Sequence, residues 1–198
     1  MTQCQREQYV KELQKQIPVD IFGGCGKKNC SQSHGSVECK SEIEKTYKFY
    51  LSFENSWCND YVTEKFWDAL NSTMVPVVLG GTNYSSIAPP NSFIDASKYS
   101  PKELATILKK LDKNEEEILK YFHWKNQYSV FQGNAEHRRL CDLCEKLNSP
   151  MGKTKKSYTD LAGWWIGAGQ CKVKGSFPWS KPDSLGTVLT NNIKNILG

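Results

Sequence analysis

Hydrophobic and polar positions at the start of the chain alternate between helical and strand spacing. Residues 6–17 repeat their apolar side chains as one face of a helix would, and "VDIFGG" at residues 19–24 predicts a short strand that enters a glycine turn. A polar, cysteine-bearing connection leads to "FYLSF" at residues 49–53, where aromatic and small side chains are typical of a strand. This part of the chain therefore predicts one helix and two strands.

The pattern continues with a helix predicted from Tyr61, behind Asp60 as a possible N-cap. The run "VPVVLGG" at residues 75–81 is apolar throughout, which is typical of a strand buried on both faces. A further short strand is predicted at "SFIDA", residues 92–96. Strands that alternate with helices in this way predict the α/β class with a parallel sheet.

Three more helices are predicted after these strands. The first, "SPKELATILKKL" at residues 100–111, combines Ser100 as N-cap, a proline at the first helical position and Glu103 for a capping box. The other two, residues 118–127 and 135–147, are expected to pack across the sheet.

Composition adds an asymmetry of charge. The 198 residues are 38% hydrophobic and 24% charged, the balance of a soluble globular protein with one main domain. The net charge of +5 is concentrated in residues 151–198, which hold seven basic and two acidic side chains. Such a segment could contact nucleic acid or an anionic membrane, but its first lysines lie among Gly, Ser, Thr and Tyr, as in a flexible solvated tail. We expect no nucleic-acid partner, because no nucleic-acid-binding motif is present.

Cysteines and sequons point to the secretory pathway. Eight cysteines and three N-x-S/T sequons, at Asn29, Asn71 and Asn83, indicate passage through an oxidising compartment. The N-terminus is nevertheless polar from its first residue, and no apolar run approaches the roughly 20 residues of a membrane span. We therefore expect a signal or anchor segment upstream of this sequence.

Several chemistries are disfavoured by their residue patterns. "GGCGKKN" has glycines but not the Walker spacing, and the three histidines are isolated. No Asp-x-Asp is present to hold a nucleotide sugar through a divalent metal, so we expect no metal. The C-x-x-C of Cys141 and Cys144, and the cluster of Cys25, Cys30 and Cys39, leave zinc open, although the sequons favour disulfides.

Glu64 and Lys65 are the candidate chemical groups of the first predicted βα turn. A helix start presents unpaired backbone N–H groups and a partial positive charge, so it suits a phosphate, and a lysine there adds a full charge. Adjacent helical side chains point about 100° apart and can serve two parts of one ligand. The alternative is an ordinary βα turn with a solvated ion pair, although structural pairs more often use the i, i+4 spacing.

The stretch "YKFYLSFENSWCNDYVTEKFWDALNSTMVPVVLGG" at residues 47–81 resembles the signature of the α-1,3-fucosyltransferases, glycosyltransferase family ten. The similarity continues through "NYSSIAPPNSFIDASKYSPKELATILKKLDKN" and "YFHWK" to the C-x-x-C. It implies an α/β fold with a Rossmann-like parallel sheet and flanking helices, the C-terminal half of a two-domain GT-B glycosyltransferase. Residues 1–147 are then a GDP-fucose-binding domain, and residues 148–198 a basic, poorly ordered C-terminal tail.

The resemblance also implies a donor-binding site. Arg6 and Lys65 are expected to hold the pyrophosphate of GDP-fucose, and Glu64 to bond sugar hydroxyls of the donor. Asn55 and Tyr61 are expected to line the nucleotide pocket. The implied reaction transfers L-fucose from GDP-β-L-fucose, with inversion, in α-1,3 linkage to a GlcNAc of a glycoprotein glycan. No cofactor is required beyond the donor substrate itself.

Parts of the family pattern lie outside this sequence. The family takes its general base from its N-terminal half, so no catalytic residue is assigned. The anchor of a single-pass type II membrane protein of the Golgi lumen is also expected upstream and would be the only membrane contact. One alternative is a non-catalytic nucleotide-sugar-binding module that lacks the acceptor half. Another is a disulfide-rich structural protein that binds no GDP.

The resemblance further implies a pattern of cysteine pairing. The family bonds its C-x-x-C to cysteines of the N-terminal half, so Cys141 and Cys144 are expected to be unpaired or mispaired. Four other cysteines are near enough in sequence to be expected to pair among themselves: Cys25, Cys30, Cys39 and Cys58.

Overall fold

The structure is a computed structural model that describes residues 5–23, 26–31, 36–130, 135–150, 152–155 and 157–172. Within these ranges the helices are α1 (Arg6–Gln14), α2 (Val37–Thr46), α3 (Glu64–Asn71), α4 (Pro101–Asp112), α5 (Glu115–Leu119), α6 (Ala135–Asn148) and α7 (Leu161–Gly169). The strands are β1 (Phe49–Phe53), β2 (Val75–Leu79) and β3 (Ile94–Asp95).

The three strands form one parallel sheet in the order β1-β2-β3. Leu51 lies opposite Val77, which in turn lies opposite Ile94. Every residue of the central strand β2 is buried, because helices cover both faces of the sheet. The prediction of an α/β protein with a parallel sheet, and of a strand buried on both faces, is confirmed.

Helices α1 and α4 pack against one face of the sheet. Tyr9 and Leu13 of α1 are fully buried there beside Leu104 of α4. The Tyr9 hydroxyl donates a hydrogen bond to the carbonyl of Tyr99 at 2.9 Å, and burial raises the pKa of this hydroxyl above its ordinary range. Because burying a leucine contributes about 1.5–3 kcal/mol, α1 is a structural part of this domain.

The capping box predicted at the start of α4 is present. The Ser100 hydroxyl accepts a hydrogen bond from the Glu103 backbone amide at 3.3 Å, and the Ser100 amide donates to the Glu103 carboxylate at 2.8 Å. Pro101 occupies the first helical position. A backbone N–H there would have no acceptor within the helix, so the proline loses no hydrogen bond.

Two predictions near the N-terminus are wrong. The predicted strand at residues 19–24 contributes a single bridge, from Phe22 to Lys28, and Gly24 lies outside the described residues. The polar connection that follows contains the helix α2, capped by the Ser36 hydroxyl. The hydrophobic pattern missed α2 because Cys39 is its one buried residue, so the helix has almost no apolar stripe.

The helix predicted from Tyr61 begins three residues later. Its N-cap is Thr63, whereas Asp60 has a positive φ of 56° and lies in the preceding loop. An aspartate tolerates this left-handed conformation better than most residues, so Asp60 belongs to the turn.

The helix α6 differs from prediction in its packing. Its apolar residues Leu140, Leu143 and Leu147 are exposed, so it does not pack across the sheet as expected. The predicted stretch at residues 118–127 does reach the core, through Ile118 of α5 and Trp124 of a following 3₁₀ segment. The helix predicted at residues 135–147 is therefore present, but its described leucines are exposed and not buried against the sheet.

The segment predicted as a poorly ordered tail contains α7 in its described part. The Asp160 carboxylate caps α7 by accepting a hydrogen bond from the Gly163 amide at 2.8 Å. Residues 173–198 lie outside the described residues, and the boundary at residue 147 stays a prediction. No described helix has both the length and the apolar character to cross a membrane.

Candidate functional site

The sequence-predicted residues meet at the carboxyl ends of β1 and β2. The loop of residues 54–63, called the β1–α3 loop below, leaves β1 at this edge and leads to α3. The Glu54 amide donates to the carbonyl of Leu79 at 2.9 Å, which extends the pairing of the two strands by one residue. Ligands of open parallel sheets bind outside this edge, where the loops and helix starts converge.

A buried carboxylate closes the β1–α3 loop. The fully buried Glu54 accepts hydrogen bonds from the Thr63 amide and the Thr63 hydroxyl, each at 2.8 Å. Sequence reasoning assigned Glu54 no role, although an acidic residue directly after a buried strand is a signal that its side chain has specific partners. The two ends of the loop are therefore fixed to each other.

Two further contacts place Lys65 and Arg6 at the end of β1. The Ser52 hydroxyl in β1 donates to the carbonyl of Lys65 at 3.1 Å, which fastens the first turn of α3 to the strand. The Arg6 guanidinium donates to the carbonyl of Phe53, the last residue of β1. Arg6 is the first residue of α1, and its side chain is 27% exposed. Arg6 is thus anchored to β1 through its guanidinium and Lys65 through its backbone, at neighbouring residues of one strand.

Glu64 and Lys65 form an ion pair although they are adjacent in sequence. The Lys65 ammonium lies 3.0 Å from the Glu64 carboxylate and 3.0 Å from the Thr63 hydroxyl. The hydrogen bond from Lys65 lowers the pKa of the Glu64 carboxyl. The Glu64 side chain is 69% exposed, and exposed pairs contribute only about 0–1 kcal/mol, so a ligand can separate the two groups.

Asn55 and Tyr61 lie in the same β1–α3 loop. Asn55 is exposed, and Tyr61 is half-buried, with its amide 3.4 Å from the carbonyl of Cys58. The structure brings both residues to the edge of the sheet that holds the ion pair, and their role in lining a nucleotide pocket stays a prediction.

Two glycines after β2 are closely packed against their neighbours. A Cβ on Gly80 would lie 2.5 Å from the Tyr84 hydroxyl, and one on Gly81 would lie 2.6 Å from the carbonyl of Cys58. Both distances are shorter than real Cβ contacts, so Gly80 packs against the Tyr84 side chain and Gly81 packs against the β1–α3 loop, where a larger residue would not fit.

The disulfides agree with part of the prediction. Cys30 pairs with Cys39, and Cys141 and Cys144 are free and exposed, as expected. The pairing predicted for Cys58 is wrong, because it bonds Cys171 across 113 residues, a separation that spacing rules cannot anticipate. Cys25 lies outside the described residues. Among the described residues, no group of three or more His, Cys, Asp or Glu side chains could hold a metal ion.

Comparison with known families identifies the class. Residues 1–164 match the family described as "Glycosyltransferase family 10 (fucosyltransferase) C-term". The chain therefore belongs to glycosyltransferase family 10, and the match extends beyond residue 147, where the sequence analysis ended the resemblance.

Curated relatives carry the same class of name. The chain is 38% identical over 175 residues to Alpha-(1,3)-fucosyltransferase C of Drosophila melanogaster, covering 87% of this chain and 39% of that protein. It is 42% identical over 177 residues to Glycoprotein 3-alpha-L-fucosyltransferase A of the same organism, covering 85% and 34%. This chain thus spans less than half the length of these two relatives.

One solved structure, titled "Crystal Structure of alpha1,3-Fucosyltransferase with GDP-fucose", aligns with a TM-score of 0.49 and 24% sequence identity. The alignment covers 78% of this chain and 45% of that one.

Proposed function

We propose that this chain supplies the GDP-fucose-binding part of an α-1,3-fucosyltransferase. The enzyme would transfer L-fucose from GDP-β-L-fucose, with inversion, to a GlcNAc of a glycoprotein glycan. The observation that carries this proposal is the anchoring of Arg6 and Lys65 to the carboxyl end of one strand. Family membership supplies the substrate class, and the two disulfides of the described residues support an oxidising compartment such as the Golgi lumen.

The two cations suit a pyrophosphate. Their side chains are only 27% and 23% exposed, for Arg6 and Lys65 respectively, so each is partly desolvated before a ligand arrives. Charge-assisted hydrogen bonds of this kind contribute about 1.5–3 kcal/mol each. Positive charge at this position also stabilises GDP as it leaves, because negative charge develops on the departing phosphate.

Glu64 suits the hydroxyls of the donor. When a phosphate takes the Lys65 ammonium, the exposed Glu64 carboxylate loses its partner and can accept hydrogen bonds from a sugar. Asn55 and Tyr61, on the same loop, are proposed to line the nucleotide pocket. The acid and the base of the pair would then hold two different parts of one ligand.

Glu64 is not proposed as the general base. An inverting transfer needs a group that takes the proton of the attacking acceptor hydroxyl, and such a base works best when its pKa is near the working pH. The hydrogen bond from Lys65 lowers the pKa of Glu64, which moves it further from the working pH. We therefore assign Glu64 to donor binding and leave the base to residues outside this chain.

Calorimetric titration with GDP tests the proposal. Lys65→Ala and Arg6→Ala should each weaken binding by about one to two powers of ten, since 1.4 kcal/mol is tenfold. Lys48→Ala is the matched control, because Lys48 precedes the opposite end of β1, where it bonds Asp112 at 2.8 Å. Its GDP affinity should equal that of the unmodified chain.

A second measurement separates binding from catalysis. Transfer of labelled fucose to N-glycan and N-acetyllactosamine acceptors is assayed with the same protein. We expect GDP binding without transfer, because the general base is assigned to residues outside this chain. Robust transfer would show that the base lies within these 198 residues, and a folded chain that binds no GDP would contradict the site itself.

A further inference from the structure

The end of the described chain is fastened to the middle of the β1–α3 loop. Cys58, in the centre of that loop, forms a disulfide with Cys171, two residues after α7 ends. The Asn59 amide donates to the carbonyl of Gly169 at 2.6 Å, and the Lys172 amide donates to the carbonyl of Trp57 at 2.9 Å. A covalent bond is thus flanked by a backbone hydrogen bond on each side.

Side chains reinforce this contact. The Asn59 amide group donates to the Gln170 side-chain carbonyl at 3.2 Å, and the Lys172 ammonium lies 4.8 Å from the centre of the Trp57 ring. Residues 169–172, called the C-terminal clasp below, therefore hold three consecutive loop residues.

The clasp fixes the part of the loop that Glu54 does not reach. The buried Glu54 joins the two ends of the loop, whereas Asn59 and Asp60 form its exposed tip. Asp60 has a φ of 56°, a conformation that non-glycine residues keep when their surroundings determine it. Tyr61, which we propose to line the nucleotide pocket, follows this tip directly.

We propose that the C-terminal clasp is a positioning element of the donor site, with the Cys58–Cys171 disulfide as its central bond. It holds the β1–α3 loop in the conformation that receives the nucleotide. The segment that follows the last predicted helix is then part of the binding machinery rather than an appendage. This inference rests on the proposed function, because it assumes that the loop contacts GDP.

The expected effect follows from the population of the competent loop. A loop that adopts its binding conformation only a tenth of the time binds about tenfold more weakly, although every direct contact is intact. Loss of the clasp should therefore weaken GDP binding without altering Arg6 or Lys65.

The test compares two disulfide deletions in the full chain. The C58S/C171S variant should bind GDP about tenfold more weakly in calorimetry, with faster amide hydrogen exchange at residues 55–63. The C30S/C39S variant is the matched control, because it removes the second disulfide of the described residues, which joins two cysteines outside this loop. It should keep the unmodified GDP affinity and the slow exchange of the loop.

A milder variant covers the case in which C58S/C171S fails to fold. Gln170 has a φ of 42°, so Gln170→Gly removes the contact to Asn59 without strain at the backbone. It should weaken GDP binding and speed exchange at the loop tip, both by less than the disulfide deletion does.

The outcomes separate this inference from the proposed function. If the unmodified chain binds no GDP, the proposed function fails. If it binds GDP and neither C58S/C171S nor Gln170→Gly changes the affinity, the clasp has no positioning role while the donor site stands. Equal losses in C58S/C171S and C30S/C39S would likewise overturn the inference, because they would report general destabilisation.

Discussion

Glu54 accepts two hydrogen bonds from Thr63, one from the backbone amide and one from the hydroxyl, each at 2.8 Å. The carboxylate is fully buried directly after β1, and Thr63 is the residue from which α3 begins. One side chain therefore sets both the end of a strand and the start of the helix that carries Lys65. This contact therefore positions the residues of the candidate site, although Glu54 itself is not proposed to touch the ligand.

Glu54→Gln should destabilise the fold by about 1–3 kcal/mol, because glutamine has a single acceptor oxygen, whereas the Thr63 amide and hydroxyl donate to different oxygens of the carboxylate. Urea unfolding measures the loss. Glu42→Gln is the matched control, since Glu42 also accepts hydrogen bonds from a backbone amide and a hydroxyl, both of Ser31, but at an exposed position. The control should leave the unfolding midpoint unchanged, and equal effects of the two variants would show that burial of Glu54 is not decisive.

Gly81→Ala should destabilise the chain and weaken GDP binding. The new methyl group would lie 2.6 Å from the carbonyl of Cys58 and 2.9 Å from the Trp57 ring, so the β1–α3 loop must move. Gly167→Ala is the control of opposite sign, because a Cβ there meets nothing within 4 Å inside α7. Gly167→Ala should raise the free energy of unfolding by about 0.5–1 kcal/mol, because alanine has the higher helix propensity. Unfolding curves of both variants decide the matter, and a harmless Gly81→Ala would contradict the close packing.

Some elements could be predicted because their causes are local in sequence. The start of α4 follows from Ser100 and Glu103, whose bonds span three residues, and the burial of β2 follows from its unbroken apolar run. The donor site could be proposed because Glu64 and Lys65 lie within one quoted motif. Each of these signals is complete within about a dozen residues.

Other features depend on contacts between distant residues. The bond of Cys58 to Cys171 spans 113 residues, and Arg6 reaches the end of β1 across 47 residues, so neither contact has a local pattern. The helix α2 was missed for a different reason, because it is stabilised by the Ser36 cap and a disulfide instead of an apolar face. These features depend on how the chain folds, which rules based on residue spacing do not describe.

The capping box of α4 predicts a dependence on pH. Hydrogen bonds from the Ser100 amide and hydroxyl hold the pKa of Glu103 below its ordinary value of 4.5. The stabilisation is therefore present above the ordinary pKa and is lost as the pH falls through the lower value of the folded state. Glu103→Ala should cost about 0.3–1.5 kcal/mol at pH 7, and the gap to the unmodified chain should shrink below pH 4.5.

Unfolding curves between pH 3 and pH 7 measure this gap. A gap that stays constant over that range would show that the charge of Glu103 contributes nothing to the cap.

The free thiols predict a selective labelling pattern. Cys141 and Cys144 are exposed on α6, whereas Cys58 and Cys171 are bonded to each other. A maleimide added to the folded chain without reductant should therefore modify Cys141 and Cys144 within minutes. Peptide mapping should find Cys58 and Cys171 unmodified until a reducing agent is added. Labelling of Cys58 in the oxidised protein would contradict the bond on which the C-terminal clasp depends.

Glu64→Ala should distinguish the two partners of the ion pair at the start of α3. If Lys65 holds the pyrophosphate and Glu64 a donor sugar, Glu64→Ala removes an acceptor of the sugar hydroxyls and leaves the Lys65 ammonium, 3.0 Å from that carboxylate, in place. GDP-fucose binding should then weaken by about tenfold, the loss expected from one charge-assisted hydrogen bond. Guanosine contains the ribose but no fucose, so it shows which sugar Glu64 holds. The affinity for guanosine should fall together with that for GDP-fucose only if Glu64 bonds the ribose.

Calorimetry with GDP-fucose, GDP and guanosine gives the three affinities. Glu117→Ala is the control, because Glu117 also pairs with a lysine, Lys120, at a partly exposed position, but lies in α5 and outside the proposed site. It should leave all three affinities unchanged. Unaltered GDP-fucose binding by Glu64→Ala would remove Glu64 from the donor site, while Lys65 and Arg6 would keep their proposed role through their own variants. The pair is thus tested one member at a time, and each member can fail without the other.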